Sequence, residues 1–168
     1  REFFRALCSS DTNDSEIARP YPFFLAYPLE TRPESLGEIR NWQIEWKWDG
    51  IRAQLIRREG EVFLWSRGEE LVTERFPEII HSAQQLPDGT VLDGEIVAWR
   101  DKRVLSFSKL QRRIGRKTLS KKLLHEIPVV LIVFDLLEES TRDIRALSLA
   151  ERRGFLEQLL SQSPGGSI

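Results

Sequence analysis

From Gln43 to Ser66 the chain reads QIEWKWDGIRAQLIRREGEVFLWS, three short runs of alternating character cut by Asp49-Gly50 and Glu59-Gly60. Alternation over four to eight residues, punctuated by such dipeptides, predicts antiparallel strands joined by tight turns. The expected strands are Gln43 to Trp48, Arg52 to Arg58 and Glu61 to Ser66. In a strand at Gln43 to Trp48, the period of two would set Glu45 and Lys47 on one face and both tryptophans on the other.

Working outward, Pro77 opens a helix with Ile79, Ile80, Ala83 and Leu86 at helical spacing, and Pro87-Asp88-Gly89 ends it. Thr90 to Trp99 reads as a strand. Ser106 reads as the cap of a short helix with Phe107, Leu110 and Ile114 on one face, ending near Gly115. Val129 to Leu137, apolar apart from Asp135, reads as a central strand covered on both faces. Ser148 with Glu151 three residues on forms a capping-box pattern for a last helix that turns Leu149, Leu156 and Leu160 inward. The fold class is therefore α+β, antiparallel β-sheets flanked by helices. Residues 1–40, with Pro20, Pro22, Pro28 and Pro33 among aromatics, read as an extended lead-in. Residues 41–162 form the domain, and 163–168 a flexible tail.

Composition limits what the chain can do. Twenty-five Lys and Arg against 26 Asp and Glu leave a net charge of -1, so any contact with a polyanion needs a local basic patch. Cys8 is the single cysteine, which excludes an internal disulfide and a cysteine-built zinc site and suits a cytoplasmic setting. The longest apolar stretch falls far short of the roughly 20 residues that span a bilayer, so no membrane is expected.

The residues with chemical potential cluster. Taken alone, Lys47 reads as a strand lysine paired with Glu45. An attacking lysine must be neutral, whereas a solvated amine has a pKa near ~10.4, so a nucleophile needs burial or neighbouring cations. Asp93 and Glu95 share a strand face and repel unless a cation lies between them. Asp135 closes an apolar run and needs a cation or donors. Gly94, between the two acids, weakens its strand for no packing reason visible in the sequence.

Lys47-Trp48-Asp49-Gly50-Ile51-Arg52 resembles the K-x-D-G-x-R signature of the covalent nucleotidyltransferases, which comprise DNA ligases, RNA ligases and mRNA capping enzymes. Ser66-Arg67-Gly68, Asp93-Gly94-Glu95 and Phe134-Asp135 follow in that family's order and resemble its S-R-G, D-G-E and F-D elements. Phe107 to Arg113 looks like the helix that ligases place after D-G-E. The resemblance spans about residues 20 to 160. It implies the ligase and capping nucleotidyltransferase fold, ATP-grasp-like and incomplete at its C-terminal end, and specifically the adenylation domain of an ATP-dependent DNA ligase.

The same resemblance assigns roles. Lys47 would take AMP from ATP as a covalent phosphoramidate. Glu45, Arg52, Arg67, Glu95 and Phe134 would bind the nucleotide, with Phe134 stacked on adenine. Asp93 and Glu95 would hold magnesium. Arg52, Arg67, Arg112 and Arg113 would touch nicked duplex DNA, with Arg116 and Lys117 completing a basic cluster. The family's E-G-x-x-x-K and K-x-K elements do not appear before Ile168. With no methionine and an opening at Arg1, the expectation is a piece of a longer, bacterial-looking ligase that continues into an oligonucleotide-binding-fold domain. Such a piece would bind ATP weakly and not seal nicks. An RNA ligase or capping enzyme, or a nucleotide- or DNA-binding module without chemistry, is the alternative.

Overall fold

The computed structural model describes residues 16–116, 118–162 and 167–168. The apolar run at Phe3, Phe4 and Leu7, Cys8, the polar stretch from Ser9 to Ser15, Lys117 and residues 163–166 lie outside the described residues.

Among the described residues six strands form one antiparallel sheet: β1 (Ile51–Arg58), β2 (Glu61–Ser66), β3 (Thr90–Arg100), β4 (Arg103–Val104), β5 (Val129–Glu139) and β6 (Arg142–Asp143). Their order is β2-β1-β3-β5-β6, with β4 folded back on the end of β3. The β1–β2 turn holds Glu59 and Gly60 at φ 51° and 82°, the left-handed pair that matches the twist of a two-residue hairpin. Asp88 secures it by accepting from both turn amides, at 3.0 and 2.9 Å.

Among the described residues four α-helices of six residues or more accompany the sheet: α1 (Pro77–Ala83), α2 (Phe107–Ile114), α3 (Lys121–Glu126) and α4 (Leu149–Gln162). Strand alternation sends Ala53, Leu55, Leu92, Ile96, Leu131 and Leu136 to one face, where they bury against Ile79, Ala83, Leu110 and Leu156. The opposite face carries Arg52, Gln54, Ile56, Asp93 and Glu95. There Ile56, Val91 and Leu137 make a small second core with Tyr21, Phe63 and Trp65.

Pairing of β3 with β5 slips twice. Asp93 faces Asp135 while Gly94 faces Val133, so Phe134 is an extra residue in β5. Val91 faces Glu138 while Leu92 faces Leu136, which makes Leu137 a second extra residue. A bulge reverses the alternation beyond it, so two consecutive side chains can share a face. Phe134 and Asp135 thereby both join the face of Asp93 and Glu95.

Several expectations meet corrections. Residues 43–48 form no strand, because no neighbouring strand among the described residues pairs with their backbone; regular structure starts at Ile51. The Ser148–Glu151 box forms, with Ser148 N–H donating to Glu151 Oε2 at 2.9 Å and Glu151 N–H to Ser148 Oγ at 3.3 Å. Leu149 nevertheless stays 42% exposed, and α4 packs through Leu156 with Phe155, Leu159 and Leu160. The end of the tail is held: Leu131 N–H donates to the Ser167 carbonyl at 2.8 Å, Ser167 N–H to Ser82 Oγ at 3.0 Å, and Ile168 packs on the core.

Candidate active site

A cleft of about 680 Å³ opens on the polar face of the sheet. Its floor is Ile51 and Arg52 from β1, Glu95 from β3 and Phe134 from the first bulge, with Arg67 beyond the end of β2. Its other wall is the extended chain, Phe24 to Ala26 and Glu45 to Trp48 with Gly50. Glu45, Lys47, Arg52, Arg67, Glu95 and Phe134 therefore meet in one space, although Lys47 and Glu45 arrive on irregular backbone.

Gly50 explains how that backbone lies flush on the sheet. A Cβ at Gly50 would stand 2.1 Å from the Ile96 carbonyl oxygen, so only glycine permits the approach. Gly50 N–H then donates to Glu95 Oε1 at 3.1 Å, tying the segment that carries Lys47 to the β3 carboxylate. Gly94 has the packing reason its sequence context hid: a Cβ there would meet the Ile132 carbonyl oxygen of the neighbouring strand β5 at 2.6 Å. Glu45 sits at the rim, accepting from Gln43 Nε2 at 2.5 Å and lying 3.6 Å from the Arg153 guanidinium.

Burial pushes the Glu95 carboxyl up, against the Gly50 amide and the charges of Arg52, Arg67 and Lys47, which pull it down. Burial also raises Asp93, opposed by Arg52. The cation that Asp93 required is Arg52, whose Nε and Nη2 reach its two oxygens at 2.6 and 3.0 Å. Asp93 is 4% exposed and, unlike Glu95, does not line the cleft: each of its oxygens accepts one bond from Arg52. The same guanidinium lies over the Phe134 ring, 4.3 Å from its centroid, a cation–π contact. Asp135 finds its cation in Arg152 of α4, at 2.8 and 2.9 Å, which fixes the strand one residue after the bulge.

Arg112 and Arg113 part company. Arg112 is exposed on α2. Arg113 is 1% exposed and spent inside, donating to both oxygens of Glu78 at 2.5 and 2.6 Å and to the carbonyls of Ile127 and Arg75 at 2.9 and 3.0 Å. A guanidinium so enclosed cannot reach a phosphate, which corrects its expected place in a nucleic-acid surface. Sequence reasoning missed Phe24, Leu25 and Ala26 as cleft residues. The available signal was three large apolar residues, Phe23, Phe24 and Leu25, followed by Tyr27, between Pro22 and Pro28 in a segment with no periodicity to bury them.

Among the described residues no helix is long and apolar enough to cross a membrane. No group of three or more His, Cys, Asp or Glu side chains is arranged to hold a metal among them either.

Residues 23–167 match the family model for the ATP dependent DNA ligase domain. The chain is similar to a probable DNA ligase of Koribacter versatilis, 38% identical over 146 residues covering 87% of this chain and 25% of that protein. It is also similar to a DNA ligase of Archaeoglobus fulgidus, 33% identical over 149 residues, 88% of this chain and 27% of the relative. The chain thus spans about a quarter of the length of these relatives. Among solved structures it is similar to a mycobacterial DNA ligase D complexed with ATP and MES, with TM-score 0.58 and 32% identity over 73% of this chain and 40% of that one. The ligase domain of M. tuberculosis LigD is alike, at 0.57 and 33% over 73% and 41%. The antiparallel sheet, its flanking helices and these likenesses are those of the nucleotidyltransferase fold, and the chain belongs to the ATP-dependent DNA ligase domain family.

Proposed function

We propose that this chain is the nucleophile-bearing part of the adenylation domain of a DNA-joining enzyme, and that Lys47 is its nucleophile. The observation that carries the reading is the meeting of Lys47, Glu95, Arg52, Arg67 and Phe134 in one cleft. The cleft lies within the size range of small-molecule sites.

ATP enters with its base toward Phe134, and its α-phosphate comes within reach of Lys47. The lone pair of Lys47 Nζ forms the bond to α-phosphorus while the bond to pyrophosphate breaks, and the amine proton passes to solvent. The product is a lysyl-AMP phosphoramidate. Arg67 and Arg52 supply positive charge on the floor, and Glu95 fixes the lysine segment through Gly50 and is placed for the ribose or a metal. In the full-length protein AMP then moves to a DNA 5′-phosphate at a nick, and the 3′-hydroxyl displaces it. The ligand chemistry suits magnesium: a hard ion held by one carboxylate and the substrate's own phosphates needs no protein cage, and Glu95 is the carboxylate turned to the cleft. Bound there, the ion would offset phosphate charge. Exposed Arg112, with Arg52 and Arg67, provides contacts to duplex phosphates.

Incubating the full-length protein with ATP or GTP labelled at the α-phosphate tests the reading. Label retained from ATP through denaturation, and absent in Lys47→Ala, supports it. Label from GTP indicates a capping-type enzyme. No label from either indicates a binding module.

A further inference from the structure

The wall of the cleft made by Phe24, Leu25 and Ala26 has little packing of its own. Phe24 is 82% and Leu25 56% exposed, so something outside these side chains must hold them over the sheet. Three residues earlier the chain is pinned. Tyr21 N–H donates to Gln54 Oε1 at 2.9 Å and Gln54 Nε2 donates to the Tyr21 carbonyl at 3.0 Å, a two-point grip like one rung of a strand pair. Gln54 lies on β1 two residues from Arg52, on the same face, and is wholly buried. A buried amide that uses both its donor and its acceptor on one backbone residue specifies that residue's position.

The far side of Tyr21 is equally engaged. Its hydroxyl donates to Glu138 Oε2 at 2.7 Å, and Arg58 grips the same carboxylate at 3.0 and 2.5 Å. Arg58 also donates to the carbonyls of Ile17 and Arg19, at 3.2 and 3.1 Å, and Arg145 covers the Tyr21 ring at 3.9 Å. Burial and the Glu138 contact push the Tyr21 hydroxyl up to about 12, so it remains a donor. Beyond Tyr21, the next hydrogen bond joining this segment to the sheet, among the described residues, is the one from Gly50 to Glu95.

We propose that Gln54, gripping Tyr21, is a positioning residue for nucleotide binding: it sets the lead-in so that Phe24 closes the cleft opposite Phe134. The inference depends on the cleft being a nucleotide site. Gln54 touches no nucleotide itself and acts through the lead-in.

A double-mutant cycle separates positioning from general stability. The magnesium complex of an ATP analogue with a methylene bridge between its α- and β-phosphates, which the nucleophile cannot cleave, is titrated calorimetrically into the full-length protein to give Kd, with a melting curve taken alongside. Gln54→Leu, which keeps the buried volume but not the grip, is expected to raise Kd roughly tenfold. Phe24→Ala is expected to do the same, and the double variant to add little, because the second change removes a wall already displaced. Equal Kd for wild type and Gln54→Leu overturns the proposal, as does a Gln54→Leu effect that persists undiminished in the Phe24→Ala background. Gln54→Met, a second variant that keeps the buried volume without the two backbone bonds, replaces Gln54→Leu in the cycle if that variant does not melt cooperatively. An unchanged Kd for it, or an effect equal in both backgrounds, likewise overturns the proposal. A full-length wild type that binds no nucleotide overturns the nucleotide reading, and this inference with it; a wild type that binds beside a variant that binds equally well overturns this inference alone.

Discussion

The two walls of the cleft are built in opposite ways. The sheet wall presents Arg52, Glu95 and Phe134 from strands in register, each side chain held by a named partner or a bulge. The extended wall carries Lys47 and Phe24 on irregular backbone, with Trp46 82% exposed. The first wall is the interior of the fold turned outward, and stability and site geometry are the same thing there. The second bears the proposed nucleophile and hangs from a few anchors, so changes in it should alter chemistry while leaving the fold intact.

That contrast can be broken most sharply at the proposed nucleophile. Lys47→Ala should abolish the covalent AMP adduct and leave the melting temperature where it was; a large fall in melting temperature would show that the extended wall is part of the core after all. Next in size is Arg113→Ala on the helical side of the sheet. Removing it strands Glu78 and two carbonyls, and a cost of about 3–5 kcal/mol is expected in denaturant unfolding. Its neighbour Arg112→Ala should leave unfolding unchanged and reduce the salt slope of DNA binding by about 1. Equal behaviour of the two would refute the assignment of one to the interior and the other to the surface.

Gly94→Ala should cost about 1–3 kcal/mol, because the new methyl meets the Ile132 carbonyl and forces β3 and β5 apart. The smallest effect is at Glu95, whose carboxyl burial raises. A raised carboxyl favours the folded state at low pH, where it is protonated, and loses that advantage as pH climbs from the ordinary carboxylate value through the raised one. Glu95→Gln should therefore melt slightly higher than wild type at pH 7, by roughly 1–2 °C, and flatten that part of the pH profile. A lower melting temperature at pH 7 would mean that the Gly50 tie outweighs desolvation.

Much of this was legible in the residues. Alternation and turn dipeptides located β1, β2, β3 and β5, and the capping box located α4. The need of Asp135 for a cation followed from charge alone, whereas the ion pair of Asp93 with Arg52 did not. What escaped depends on neighbours that a single strand's pattern does not record. Trp46 and Trp48 alternate like a strand, yet a strand exists only where another pairs with it. The bulge at Phe134 lies in the register between β3 and β5, not in either sequence. Arg113 looked like a surface cation, although its spacing of three from Leu110 put it on the buried face, and only Glu78 on a different helix made that tolerable. Gly94 and Gly50 are explained by carbonyls of neighbouring strands, Ile132 of β5 and Ile96 of β3.

Peptide mapping by mass spectrometry, after the full-length protein has been incubated with ATP and magnesium, reaches the central claim most directly. The account predicts a single AMP linked to the peptide that contains Lys47. AMP on any other lysine, or a Lys47 peptide of unmodified mass in a protein that still seals nicks, would contradict it.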